Sequence, residues 1–411
     1  MAGLSAAGKL KSEGFTVKIL ESRNRIGGRI WTDRSLGVPV EMGASWIHES
    51  VGNPLTPITR KHQIKTVATN PEDVCLFDAG GRRLEGDAFD DADDKISELL
   101  KQVRQLSKRL DRDIPYEEGV RRVLVHYKLT ELEKAILNWR LADIEADVGT
   151  DLSTVTFIGD RLGDKGFDGP DLLFPGGYDQ VVDVLARDLD IELEQKVNTI
   201  SQQTSGVKVE TDKGLFDADA IIVTVPLGVL KSGKISFTPN LSAERQKAID
   251  SLGMGTLDRV ALLYEHAFWP QGRDFIERAP LDRGDYALFT NWYKFSGQPI
   301  LLAEISGKFA REQEGLSAAD LKSHIAKLFS SVPNAIPEKI LMSRWSMDAF
   351  ARGSYSYLPA GVSGNAYAEL ARPFGLVYFA GEATSRSNPA TVHGAYMSGM
   401  REANKIAKRL G

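Results

Sequence analysis

Residues 1–29 read MAGLSAAGKLKSEGFTVKILESRNRIGGR, and their reading decides the fold. Leu4, Ala7 and Leu10 recur at helical spacing, so residues 3–13 are expected to form a helix that Gly14 ends. TVKILE, residues 16–21, follows as a short apolar strand with an acidic end. A helix feeding a strand is the second part of a βαβ unit. Gly3 fits the third glycine of a G-x-G-x-x-G loop, where the absence of a side chain lets helix and strand pack closely. Glu21 stands where such units place the carboxylate that hydrogen-bonds a ribose. Helix glycines and strand-terminal glutamates are common, so this half-motif alone also suits an ordinary α/β protein. The next loop adds Gly27 and Gly28, where backbone can approach a phosphate. It also adds Arg23 and Arg29, whose guanidinium groups can pair with phosphate oxygens. A basic surface turn would read the same way.

Working outward, residues 88–142 carry a charged helical pattern, clearest over 90–111, where Ile96, Leu99, Leu100, Val103 and Leu106 make an apolar stripe. Its acidic start reads as a solvated helix N-terminus, where carboxylates suit the dipole. A second amphipathic helix is expected over 129–146. Residues 172–193 read strand, loop, helix, strand. Residues 206–226 read as a hairpin leading into a buried strand, 256–305 as largely β, and 317–332 as a helix. LVYFAGEAT (376–384) reads as a buried strand, followed by a long helix from Thr391 to Leu410. There is no fixed-period repeat. The alternation predicts an α/β fold in two domains, one of them discontinuous, since 411 residues exceed a single ordinary core.

Composition narrows the function. The formal net charge is −5, which argues against nucleic acid and anionic membrane as partners and permits a cationic substrate. The single cysteine, Cys75, can build neither a disulfide framework nor a multi-cysteine metal site, so no metal is expected. No apolar run reaches membrane-span length. With no signal peptide, anchor or peroxisomal address read at the termini, a cytoplasmic location is expected. Nothing in the sequence sets an oligomeric state.

The chain resembles the FAD-dependent amine oxidases: polyamine oxidases, monoamine oxidases and the flavin-dependent histone lysine demethylases. The resemblance rests on ESRNRIGGR (21–29), VEMGASWIH (40–48), LLFPGGYDQVVDVLA (172–186) and ADAIIVTVPLGVLK (218–231). Its most specific stretches are RWSMDAFARGSYSYLPAG (344–361) and FAGEATSRSNPATVHGAYMSGMREANKIA (379–407). They occur in the family's order over nearly the whole chain. The resemblance implies a discontinuous Rossmann-like FAD-binding domain (1–65, 166–250 and 340–411) and a substrate domain of mixed sheet and helices (66–165 and 251–339).

It also implies roles. Gly3 and Glu21 would serve the dinucleotide loop and adenosine ribose, and Arg23 and Arg29 the pyrophosphate, with Gly27 and Gly28 allowing close approach. Gly43, Ala44, Ser45 and Trp46 would pass near the isoalloxazine, and Val197 would meet adenine. Gly381 and Glu382 would face the ribityl or pyrophosphate. Thr391 and Val392 open the last helix, whose N-terminal dipole can stabilise charge on a reduced flavin. Trp345, Phe350 and Tyr355 would wall the flavin and amine channel; read without the family, three aromatics suit a core equally well. His48, in a WIH triplet shared with animal polyamine oxidases, is a candidate substrate contact beside Trp46, Tyr355 and Thr391. Arg259, Tyr355 and His48 are the candidate catalytic set. Asp143, Glu145, Asp147 and Asp151 suit an acidic mouth for polycations but read slightly better as solvated helix-end charges.

Three departures from the family pattern stand out. The opening strand and first two glycines are missing, which is expected to leave unpaired edges on two neighbouring strands and points to a lost N-terminal segment. If the chain starts at Met1, weakened FAD affinity is expected. Arg259 stands where the family usually has a lysine near flavin N5, and arginine keeps the charge but cannot act as a base. Thr391 replaces the second tyrosine of the two-tyrosine cage, and no cysteine is placed for covalent flavin. The chain also has no long paired-helix insertion of the demethylase kind, which disfavours a chromatin role.

The expected activity is therefore oxidation of an amine, foremost a polyamine such as spermine or spermidine, with non-covalent FAD and oxygen as acceptor, yielding hydrogen peroxide. A monoamine or L-amino-acid oxidase is the first alternative, and a flavin-free binding scaffold the second.

Overall fold

A computed structural model describes residues 1–158, 166–333 and 335–411. The first half of the chain runs α1 (Ala2–Ser12), β1 (Lys18–Leu20), β2 (Val74–Asp78), α2 (Asp87–Arg109), α3 (Tyr116–Leu124), α4 (Glu131–Val148) and α5 (Asp179–Ala186). Next come β3 (Asp190–Glu192), β4 (Val197–Gln202), β5 (Val207–Thr211), β6 (Leu215–Ala218), β7 (Ile221–Val223) and β8 (Ser236–Thr238). The remainder adds β9 (Leu257–Leu263), β10 (Phe275–Ala279), β11 (Leu288–Asn291), β12 (Ile300–Ser306), α6 (Gly307–Glu314), β13 (Lys339–Met342), β14 (Val377–Phe379) and α7 (Val392–Leu410). Short strands and turns lie between them. The α/β class expected from the sequence is what forms.

The expected βαβ-like start is present. Leu4, Ala6, Ala7 and Leu10 bury one face of α1, and β1 pairs in parallel with β3. A second parallel pair joins β7 to β14. Among the described residues no strand joins the two pairs, so one edge of each is unmatched there. Helix α1 packs on α7, and Gly399 makes their crossing close: a Cβ there would sit 2.2 Å from the Ala2 carbonyl oxygen. Gly3 faces Thr224 just after β7, where a Cβ would lie 3.3 Å from its hydroxyl.

The expected hairpin is the β5–β6 pair, within a four-stranded sheet ordered β6-β5-β4-β8. A larger six-stranded sheet is ordered β13-β9-β12-β11-β10-β2. Its central strands read VALL and ILLAEIS because both faces are covered. On one side lie α2, α3 and α4, whose stripe of Ile96, Leu99, Val103 and Ile136 is buried against Ala279, Ala287 and Leu288. The first turn of α2 carries Asp87 and Asp90 and its last turn Lys108 and Arg109, as the helix dipole favours. Cys75 is buried on β2. The helix expected over 317–332 is shorter, Ala318–Ile325, and continues as turns. The expected domain junction at residue 165 lies outside the described residues.

Helix α4 matters for the site. Thr130 and Glu133 form a reciprocal capping box at its start, and Gly149 ends it in the left-handed conformation, φ 65°. A Cβ on Gly149 would also come within 2.7 Å of the Tyr355 ring. One glycine thus both stops the helix and admits the aromatic ring.

Candidate functional site

A cavity of about 790 Å³ runs between the parallel strand pairs, α7 and the six-stranded sheet. Every residue given a catalytic, cofactor or substrate role from the sequence lines it, and of the acidic quartet Asp147 does. Its volume lies in the range of ligand pockets.

At one end the wall is glycine and charge. Glu21, at the end of β1, accepts the Arg23 backbone N–H at 2.9 Å. Arg23 is already engaged: its guanidinium makes a two-pronged pair with Asp348, at 2.7 and 2.8 Å, and stacks on Phe350 with 5.4 Å to the ring centroid. Gly28 and Gly381 both have positive φ, 61° and 129°, and a Cβ on either would meet nothing within 4 Å. These are bare stretches of backbone facing open space, which a group can approach closely. Gly43 is tighter: a Cβ there would lie 2.1 Å from the Arg29 carbonyl oxygen. Val197, at the start of β4, borders the same space.

Glu382, just beyond β14 and only 4% exposed, ties the middle together. Its carboxylate accepts from Arg29 Nη1 (3.1 Å), Ser356 N (3.2 Å), Ser356 Oγ (2.6 Å) and Ala390 N (2.9 Å). Thr391 caps α7 by accepting from Gly394 N at 3.0 Å, leaving the first turn of a 19-residue helix open to the cavity at Val392.

At the other end the wall is aromatic and acidic. Trp46 opens a two-residue strand, Trp46–Ile47, and His48 follows it; both line the cavity, while Ile47 between them is buried in the core. Trp345 donates its indole N–H to the Met42 carbonyl at 3.0 Å. The Tyr355 hydroxyl donates to the Ala146 carbonyl on α4. Burial and then the Asp147 charge push its pKa upward, so the phenol stays protonated. Arg259 is 3% exposed, with its guanidinium 4.7 Å from the Trp46 ring centroid and Nη1 2.7 Å from Glu304 Oε1. Nη1 is held by charge rather than by an aligned hydrogen bond, and Nε has no acceptor among the described residues.

His48 Nδ1 lies 2.7 Å from Asp171 Oδ2. The imidazole is 54% exposed, yet protein surrounds it because it opens into the cavity. Burial disfavours the charged ring, but the Asp171 hydrogen bond and charge outweigh it, so His48 is held above the usual histidine range. The stabilisation from this pair is complete below histidine's ordinary pKa and is lost as pH rises through the raised value. Asp171→Asn is expected to lower the His48 pKa, because only the Asp147 and Glu304 charges then oppose the burial of the charged ring. An NMR titration of the ring protons checks this, and an unchanged midpoint would refute it.

The acidic quartet divides. Asp151 accepts from Lys308 N and pairs with Arg311 at 3.3 Å, and Glu145 accepts from Leu152 N, so both serve the scaffold. Asp147 faces the cavity, against the preference for a solvated helix end. Burial, then the charges of Asp143 and Glu304, raise it to about 7. The sequence reading missed Glu304, Asp171 and Asp348. A glutamate inside the apolar run ILLAEIS was a usable signal, because a charge inside a buried strand needs a partner. Its partner follows only from the sheet register, which sets Arg259 opposite Glu304.

Comparison with known proteins gives a consistent picture. A family model described as flavin containing amine oxidoreductase matches residues 1–407. The chain is 34% identical over 436 residues to polyamine oxidase 4 of Oryza sativa subsp. japonica, covering 100% of this chain and 87% of that protein. It is 34% identical over 432 residues to polyamine oxidase 2 of Arabidopsis thaliana, covering 99% and 86%. It is 35% identical to lysine-specific histone demethylase 1 homolog 1 of Arabidopsis thaliana, covering 99% of this chain and 51% of that longer protein. A solved structure of a putrescine oxidase redesigned in its cofactor binding superposes with a TM-score of 0.78 at 21% identity, covering 99% of this chain and 97% of that one.

Proposed function

The chain belongs to the flavin containing amine oxidoreductase family, and from that premise we propose that it oxidises a polyamine such as spermine or spermidine. The products would be an imine, hydrolysed by water to aldehyde and amine, and hydrogen peroxide from oxygen. FAD is the cofactor. No helix among the described residues is long and apolar enough to cross a membrane; a cytoplasmic location is part of this proposal.

The residues present fit FAD. Gly28 and Gly381 leave bare, positive-φ backbone against open space, a cradle that a Cβ would fill. Glu21 offers the carboxylate for ribose, Arg29 the cation, and α7 an N-terminus for negative charge. In this reading residues 1–65, 166–250 and 340–411 hold the cofactor, and 66–165 and 251–339 shape the substrate side. When bound, the flavin supplies the electron acceptor for the carbon beside the amine nitrogen.

The chain's own residues do the rest. Trp46, Trp345 and Tyr355 exclude water and disfavour charge on the reacting nitrogen, which must present its lone pair. Farther along, Asp147 and Glu304 favour a second, protonated nitrogen. His48 and Asp171 orient that end. The carrying observation is Asp147: a carboxylate on the cavity wall with no ion-pair partner of its own among the described residues. A monoamine has no second cation to offer it, and an amino acid would set a carboxylate against it.

Asp147→Asn is expected to raise KM for spermidine roughly tenfold, the worth of one charge-assisted hydrogen bond of about 1.5 kcal/mol. A monoamine's KM would not move. Because the carboxylate must be ionised to bind a cation, KM for spermidine is expected to rise as pH falls through about 7 in the wild type. The deciding experiment is anaerobic mixing with spermidine: the flavin bleaches if the reading holds and stays yellow if it does not.

A further inference from the structure

We propose that Asp258 and Glu314 form a positioning pair that holds the Trp345 indole in the cavity wall. The inference rests on the reading of that cavity as the flavin and amine site, though neither carboxyl lines it.

Side chains on β9 alternate, so Arg259 points to the cavity and Asp258 to the opposite face, toward the end of α6 and Glu314. Asp258 is 0% exposed and Glu314 3%. Asp258 Oδ1 accepts from Ser343 Oγ at 2.7 Å and from the Trp345 backbone N–H at 2.8 Å. Glu314 accepts from the Ser346 backbone N–H at 2.8 Å and from the Ser346 hydroxyl. Among the described residues neither carboxyl has a cationic ion-pair partner, and Asp258 Oδ2 has no hydrogen-bond partner. Burial, and then the Glu314 charge, push Asp258 to about 8.

The pair closes on residues 343–346. Arg344 in this segment has φ 54°, a left-handed conformation that a residue with a Cβ holds only when its neighbours enforce it. The neighbours do so. Ser343 Oγ accepts the Arg259 backbone N–H at 3.0 Å, Ser343 N donates to the Arg259 carbonyl at 3.1 Å, and Arg344 Nε donates to the Glu314 carbonyl at 3.2 Å. The indole itself has the Met42 carbonyl and an edge contact with Trp31, centroids 6.0 Å apart. The backbone that aims the ring is thus set by two carboxyls on the far side of β9.

The test compares Asp258→Asn with Asp258→Ala in the FAD-loaded enzyme. Asparagine keeps the Oδ1 acceptor for the Ser343 hydroxyl and the Trp345 N–H. It is expected to retain the visible circular-dichroism band of bound flavin and the wild-type KM. Alanine removes both links; the band is expected to shift and kcat/KM to fall roughly 100-fold, the scale of loss when a positioned group moves by about 1 Å. An unchanged band and KM in Asp258→Ala, or equal damage in Asp258→Asn, overturns the proposal. If Asp258→Ala does not fold, Ser343→Ala and Ser346→Ala each remove one hydroxyl link; both are expected to shift the same band, and no shift in either overturns it. Wild-type protein that takes up no FAD would instead overturn the reading of the cavity.

Discussion

Arg259→Met is expected to lower the unfolding free energy by about 3 kcal/mol, the loss when one partner of a buried ion pair is removed. The reason is what methionine leaves behind. Glu304 would keep its place on β12 with no cation, beside a cavity already holding Asp147 and, nearby, Asp143. The Trp46 face would lose the guanidinium 4.7 Å above it. Adding Glu304→Gln removes the stranded charge, so the double variant is expected to recover most of the stability. Arg259→Lys restores a cation, though not a planar one, and is expected to fall between. Denaturant unfolding of the four proteins gives the double-mutant cycle. Equal stability for Arg259→Met and the wild type would show that the pair does not hold this wall.

Glu382→Ala is expected to cost the protein its flavin as well as stability. One carboxylate satisfies Arg29, two backbone N–H groups and the Ser356 hydroxyl. Each buried donor left without a partner costs about 1–3 kcal/mol, so the sum reaches roughly 3–4 kcal/mol even if water reaches Arg29. The segments released include 389–391, which leads into α7, and the turn carrying Arg29, both of which border the bare backbone at Gly28 and Gly381. The purified variant is expected to be pale, with a low ratio of visible flavin to protein absorbance. Glu382→Gln keeps acceptor oxygen for some of these donors and is expected to retain partial colour. A fully yellow Glu382→Ala protein with wild-type melting would sink this account.

Which parts of this molecule could be read in advance follows from the range of the interactions. Helix α2 was legible because an apolar stripe at helical spacing and charges suited to its dipole act within the helix itself. The glycines of RIGGR, and Glu382 just after VYFAG, were legible because backbone approach and strand-end placement are local requirements. The split among Asp143, Glu145, Asp147 and Asp151 was not. Four acidic residues within nine positions look alike in sequence, and only the loops brought alongside them decide which receive donors. Asp151 and Glu145 found backbone N–H groups, and Asp147 found a cavity.

The same division runs through the whole site. The sequence by itself determined the α/β class, the glycine-rich cradle and the aromatic and basic residues that border the cavity, because each depends on the chemistry of a few adjacent positions. Tertiary structure alone decided that Arg259 meets Glu304 across a strand pair, that Asp171 holds His48, and that Asp258 and Glu314 both accept from the segment carrying Trp345. Those contacts join residues tens to more than a hundred positions apart, and a buried charge finds its counterpart only once the sheet register has set them face to face.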